Sequence, residues 1–246
     1  MKLLAIDTAT ENCSAALLIA GSVQSREIEM ERGHAERILP MIDQLLAEAG
    51  ITLHDLDAIA FGRGPGSFTG VRLAVTVTQG LAFGANLGVV PISDLRAVAQ
   101  RAFRADATLT RALVCNDARM HEVYWGCFER GGDGLARLEG EERVSKPSEV
   151  RLPEGWSTAT AVGRGFIAYA DALRGAVPSL APLAPAASAS LFHFLPHAID
   201  IALLAAPDVA AGRLLTAEAA TPIYLRDNVV HVTQPPKAPA TSGKPA

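Results

Sequence analysis

"KLLAIDTATEN", residues 2–12, ends a short apolar run on an acid and continues into a turn rich in hydroxyls. The pattern recurs at "RALVCNDAR", residues 111–119. Each apolar run has the length and composition of a buried strand, and each closes on an aspartate, Asp7 or Asp117. Two further strand-like stretches follow each: "CSAALLIA" (13–20) and "SVQSREIEM" (22–30) in the first case, "HEVYWGCFE" (121–129) and "LARLEGEERV" (135–144) in the second, where "GGDG" (131–134) reads as a turn. A three-stranded unit used twice predicts an α/β protein of two similar halves, residues 1–105 and 106–233. The last thirteen residues, "QPPKAPATSGKPA" (234–246), hold four prolines and read as a disordered tail.

Between the repeats the period changes from two to that of a helix. Ile38, Leu39, Ile42, Leu45, Leu46 and Ala49 mark a helix from His34 that Gly50 closes. "LDAIAFG" (56–62) is then a buried strand, followed by the glycine-rich "GRGPGSFTG" (62–70). The uncharged segment after Arg72 has β-branched residues suited to a strand, but Val71, Ala74, Val75, Thr78, Leu81, Ala82 and Ala85 share one helical face, so a helix is expected. "GVVPI" (88–92) is a strand, and Ser93 caps a helix that continues to about residue 104. In the second half "TATAVG" (158–163) reads as a strand, 165–174 as a helix, and the Ala-rich stretch from about 186 to 205 as a further helix.

Composition narrows the function. The chain has 246 residues, 49% hydrophobic and 20% charged, which is a globular composition. Its net charge of −4 comes without any long Lys/Arg run, so it carries no electrostatic footprint for nucleic acid. A role in a nucleic-acid pathway would run through a partner. Cys13, Cys115 and Cys127 are odd in number and lack CxxC spacing, which suits reduced thiols in the cytoplasm. The N-terminus meets Asp7 too early for a signal peptide, and the uncharged 73–93 segment is too polar and broken to span a membrane.

The candidate chemistry is sparse. The glycine-rich loop lacks the lysine and hydroxyl pair of a P-loop, and Gly64, Gly66 and Gly70 give GxGxxxG rather than the dinucleotide fingerprint. A strand-to-helix turn is the leading reading, with an anion held by Ser67 or Thr69 as the alternative. Asp7, Thr8 and Thr10, with Asp117 and Arg119 in the matching place of the second half, form a candidate nucleotide set. In duplicated folds of the actin and sugar-kinase type, an acid at this point faces phosphates and their Mg²⁺; the plain alternative is that both acids cap turns. His193 and His197 have i, i+4 spacing but straddle Pro196 with no HExxH pattern, which supports no metal site. No GxSxG elbow is present either, so no catalytic residue is assigned.

"LLAIDTATENCSAAL", "GHAERILPMI", "IAFGRGPGSFTGVRLAVTVTQGLA", "CNDARMHEVYWGCF" and "PIYLRDNVV", in this order and spacing, resemble the bacterial TsaB (YeaZ) family from residue 3 to about 230. The resemblance implies an actin-like (ASKHA, RNase H-like) duplicated two-domain fold. It also implies a non-catalytic scaffold role in making threonylcarbamoyladenosine in tRNA, beside the catalytic subunit TsaD and the ATPase TsaE, with a homodimer when alone. No cofactor of its own is implied; ATP or ADP with Mg²⁺ would sit at the complex interface. Where the catalytic sister family has two metal-binding histidines, "ISDLRAVA" places Asp94 and Val98, and valine cannot ligate a metal, which also disfavours a glycoprotease activity. The partner-facing residues implied on the two helices are Ile38, Met41, Ile42, Leu45, Ser67, Val71, Val75 and Thr78, set against the reading that many of them are core. The rival function is a small nucleotide hydrolase or kinase using Asp7 and Asp117.

Overall fold

The computed structural model describes residues 1–181 and 190–226. β1 (Lys2–Asp7), β2 (Asn12–Ile19) and β3 (Ser22–Glu29) form an antiparallel meander, as the alternation after each turn predicts. β4 (Ala58–Gly62) and β5 (Gly88–Ile92) add in parallel on the other side of β1, so the order is β3-β2-β1-β4-β5. Parallel neighbours need crossovers, which are supplied by α1 (His34–Glu48) and α2 (Phe68–Ala85). The second half repeats the plan. β6 (Arg111–Asp117), β7 (Val123–Arg130) and β8 (Ala136–Ser145) make the meander and β9 (Thr160–Val162) joins β6 in parallel, giving β8-β7-β6-β9. The two sheets share one strand order, and the fold is the duplicated actin-like α/β arrangement.

Side-chain alternation sorts the chain into layers. From β1, Leu4 and Ile6 lie under the outer helices with Ile38, Ile42, Leu45 and Val75, whereas Leu3 and Ala5 face a central layer. From β6, Ala112 and Val114 face that same central layer, and Leu113 and Cys115 face outward to Phe166 and Leu173. The central layer holds α3 (Asp94–Ala105) and α6 (Ala198–Ala210); the far layer holds α4 (Gly165–Ala168) and α5 (Ala170–Ala176). Each half lends a helix to the other. α6 packs on β1, β2, β4 and β5, and α3 packs on β6, β7 and β8. Arg104 grips the fully buried Asp200 through a two-pronged contact of 2.9 and 3.1 Å, tying these two helices together.

Two helical expectations are adjusted. The helix expected over 165–174 is broken at Tyr169, whose φ of −134° and ψ of 34° leave the helical basin. The Ala-rich stretch is interrupted: Ser190 and Leu191 are helical, residues 192–197 are not, and a new helix runs from Ala198, after Pro196, to Ala210; residues 182–189 lie outside the described part, as does the expected tail at 234–246. His197 caps this helix. Its Nδ1 accepts the Ile199 N–H at 2.9 Å and its Nε2 lies 3.1 Å from Glu27, while burial pushes the imidazole down to about 4. Both ring nitrogens of the neutral ring are thereby committed to protein partners. No described helix is long and apolar enough to cross a membrane.

Candidate functional site

The glycine-rich loop is a packing device. Ser67 caps α2 by accepting the Gly70 N–H at 3.0 Å, and Thr8 Oγ1 donates to the Gly70 carbonyl at 2.7 Å. A Cβ on Gly70 would stand 2.1 Å from the Thr8 carbonyl oxygen, so only glycine lets the loop lie against the β1–β2 turn. The loop's other side meets residues 223–226, where Ile223 N–H donates to the Arg63 carbonyl at 2.8 Å. Arg72 stacks over Phe68 at 3.7 Å and reaches the Tyr224 hydroxyl at 2.7 Å, and Arg226 pairs with Glu122 on the opposite half.

Asp7 does not face a ligand space. Its Oδ1 accepts the Ala9 N–H at 2.8 Å, and its carboxyl lies in the core against that of Asp94, both fully buried. Gly62 makes room for the pair, since a Cβ there would meet Asp94 Oδ1 at 2.3 Å and Asp7 Oδ1 at 2.8 Å. Burial pushes Asp7 up to about 6, and burial together with the Asp7 charge holds Asp94 well above the carboxylate range. Asp7 Oδ2 and Asp94 Oδ1 have no hydrogen-bond partner among the described residues, the situation in which one of two adjacent buried carboxyls keeps its proton. Thr8 is likewise buried. Two members of the candidate nucleotide set are therefore structural, because the turn folds back onto α2 instead of opening outward.

The remaining members meet in a cleft of about 250 Å³ between the β1–β2 turn and the end of β6, lined by Thr10, Glu11, Asn116, Asp117, Arg119 and Arg164, with Ile167, Ala168 and Leu195 among its apolar walls. Arg119, Met120 and His121 take left-handed φ values of 61°, 54° and 60° in succession, which costs on the order of 1 kcal/mol each for residues with a Cβ. This turn lays Arg119 across the cleft, 3.5 Å from Glu11 and 3.1 Å from Asp117. Asp117 also accepts the Tyr169 hydroxyl at 3.1 Å. The sequence reading missed Asn116 and Arg164. Alternation along "RALVCND" puts Asn116 with Ala112 and Val114 on the inward face, and a polar residue there was the available signal.

Comparison with known proteins agrees with this architecture. A family model described as TsaD, tRNA N6-adenosine threonylcarbamoyltransferase, matches residues 27–233. The tRNA threonylcarbamoyladenosine biosynthesis protein TsaB of Escherichia coli K12 is 40% identical over 242 residues, covering 96% of this chain and 100% of the relative. The chain belongs to the TsaB family. The Haemophilus influenzae TsaB is 38% identical over 93% of this chain and 95% of the relative. A solved Pseudomonas aeruginosa structure described as YeaZ superposes with a TM-score of 0.79 at 42% identity, covering 91% of this chain and 99% of that one. Another from the same organism, described as similar to the peptidase YeaZ, gives 0.80 at 43% identity, with 92% and 99% covered. A role in threonylcarbamoyladenosine synthesis follows from that kinship.

The helices singled out by the TsaB resemblance look different once folded. Ile38, Ile42, Leu45, Val71, Val75 and Thr78 are all buried within this chain, which corrects their assignment as partner-facing: these side chains cover the chain's own sheet. Met41 is half-buried at the edge of that core, and Ser67 is exposed but occupied as a cap. The outward residues of the TsaB-like helices are others. Phe68, Arg72, Thr76, Gly80 and Gly84 rise four apart along α2 as an exposed ridge, with Phe83 73% and Phe68 50% exposed, and Leu39 of α1 is 45% exposed. Asp94 and Val98, which the resemblance sets against the sister family's metal histidines, are sealed in the core.

Proposed function

We propose that this chain acts as a non-catalytic subunit of the threonylcarbamoyladenosine machinery, docking on the TsaD catalytic subunit and helping to recruit the ATPase TsaE. The observation that carries this reading is the α2 ridge, where two large aromatics flank the small residues Thr76, Gly80 and Gly84 and the one charge, Arg72, is folded over Phe68. Such a face favours close approach of a second helix. A TsaD-type partner has the same fold family, as the match of this chain to the TsaD model suggests, so equivalent helices of two related subunits can pack face to face. Self-association through the same face is the homodimer expected when the partner is absent. Nucleotide and Mg²⁺ belong to surfaces completed in the complex, in keeping with the burial of Asp7, and tRNA is met through the partner. The cytoplasm is the compartment this work requires.

The test is reconstitution of tRNA modification with TsaD, TsaE and the adenylate-forming enzyme, with and without this chain. Modification is expected to depend on it, and equal activity without it would refute the reading. Phe83→Asp, at an exposed position, is expected to weaken the TsaD pair at least tenfold by titration calorimetry while leaving the melting temperature within about 2 °C, because surface changes cost little. Val75→Asp, at 5% exposure, is expected to unfold the chain instead, which circular dichroism separates from a docking defect.

A further inference from the structure

Residues 220–226 cross from the first half to the second as a strap. Its start is firmly fixed: Ala220 is buried beside α2 and its carbonyl accepts from Gln79 Nε2 at 2.8 Å, and the Ile223 N–H donates to the Arg63 carbonyl at 2.8 Å. A Cβ on Gly64 would stand 2.7 Å from the Ile223 carbonyl oxygen, so the loop is shaped to receive it. From Tyr224 to Arg226 the backbone makes no hydrogen bond among the described residues, and side chains hold the strap. Tyr224 lies on the α2 ridge, its ring centre 5.5 Å from that of Phe68 and its hydroxyl accepting from Arg72 Nε. Arg226 then reaches the opposite half, where its guanidinium donates to the Ala118 carbonyl at 3.1 Å and to Glu122, with Met120 Sδ 3.2 Å away. The segment it grips is the turn of three successive left-handed residues, Arg119 to His121. Backbone of this kind persists only where its surroundings over-determine it, and among the described residues Arg226 alone bonds to both ends of the turn from outside.

We propose that the strap is a coupling device: the grip of Phe68 and Arg72 on Tyr224 keeps Arg226 on the 118–122 turn, and loss of that grip releases the turn. The path is contiguous, Arg72 to Tyr224 to Arg226 to Glu122, with only Leu225 between the two gripping side chains. The ridge end of the path lies at the surface, with Tyr224 42% exposed, so it can open without disturbing the core. Its use rests on the docking reading. A helix laid along the α2 ridge reaches Phe68 and Arg72 and competes with Tyr224 for them. Docking then withdraws Arg226, the turn relaxes from its left-handed form, and Arg119 leaves its 3.5 Å pairing with Glu11 of the first half. Partner binding on one face is thereby felt at the seam between the halves.

Hydrogen exchange on the full chain tests this, reading the Ala118 and Glu122 amides, which donate to the Glu122 and Arg119 carbonyls at 2.9 and 3.0 Å. Arg226→Ala sets the exchange of the released turn. Tyr224→Ala and, from the helix side, Arg72→Ala are each expected to speed both amides at least tenfold, while the amides of β6 keep their protection. Unchanged turn exchange in any of the three variants overturns the coupling. So does an equal loosening of β6, which would mean general destabilisation in place of a path. Saturation with TsaD is expected to speed the same two amides, and a complex that forms on size exclusion yet leaves them slow overturns the displacement of Tyr224. If no complex forms, the docking reading fails, and the coupling is still decided by the variants measured on the chain alone.

Discussion

Gly70→Ala is expected to destabilise the chain by about 4 kcal/mol, lowering the melting temperature by roughly 10 °C, an effect large enough to read in a single thermal scan. The cause is local. An added Cβ would lie 2.1 Å from the Thr8 carbonyl oxygen and 2.7 Å from Ser67 Oγ, the oxygen that caps α2. Neither obstacle is the free end of a flexible side chain. Relief requires the β1–β2 turn to separate from the helix, and that breaks the Thr8 to Gly70 hydrogen bond as well. Gly80→Ala supplies the contrast on the same helix, because nothing lies within 4 Å of its added Cβ. It should gain up to about 1 kcal/mol from helix propensity. Equal melting temperatures for the two variants would show that the loop does not press on the turn.

The second large effect is a change of pH dependence. Asp7 and Asp94 both titrate higher in the folded chain than in the unfolded one, so their contribution is fully present below the unfolded value of 3.8 and is lost as the pH rises through the folded values. For Asp7 the window runs from 3.8 to about 6, which by linkage amounts to about 3 kcal/mol, and Asp94 extends the loss to higher pH. Stability measured by urea denaturation should therefore fall between pH 5 and pH 8. Asp94→Asn keeps an oxygen for the Gly64 N–H, turns a donor toward Asp7 and removes one buried charge. We expect it to be more stable than the parent at pH 8, by on the order of 2 kcal/mol, with a flatter pH profile. An unchanged slope together with a loss of stability at pH 8 would show that the two carboxyls do not share a proton.

The strands were legible because their signal is local. "KLLAID" and "RALVCND" each carry a continuous apolar run, and the meanders after them alternate or break at recognisable turns. Helices α1 and α2 were legible as helices, and the direction of their faces was not. Apolar spacing reports which residues avoid water, and here Ile38, Ile42, Leu45 and Val75 avoid it by covering their own sheet. The exposed ridge proposed for docking lies in residues that pattern analysis passes over, Thr76, Gly80, Phe83 and Gly84. Asp7 was misread for a different reason: its partner Asp94 stands far along the chain, and no local rule connects them. Three of the five candidate residues, Thr10 with Asp117 and Arg119, do meet in one cleft, because equal positions in two repeats are brought to the same edge by the fold's pseudo-symmetry.

The exchange of helices between the halves bears on how the molecule comes into being. The first sheet is complete in sequence by Ile92, yet the face that carries Leu3, Ala5 and Ala60 is covered by α6, which ends at Ala210. During synthesis that apolar face must wait for more than half of the chain to emerge. Such late, long-range closure slows folding and leaves an adhesive surface on the nascent polypeptide. The first half should therefore be a client of the cell's holding chaperones until its borrowed helix arrives. Cut from the rest and expressed alone, it should fail to become a stable domain despite containing every strand of its sheet.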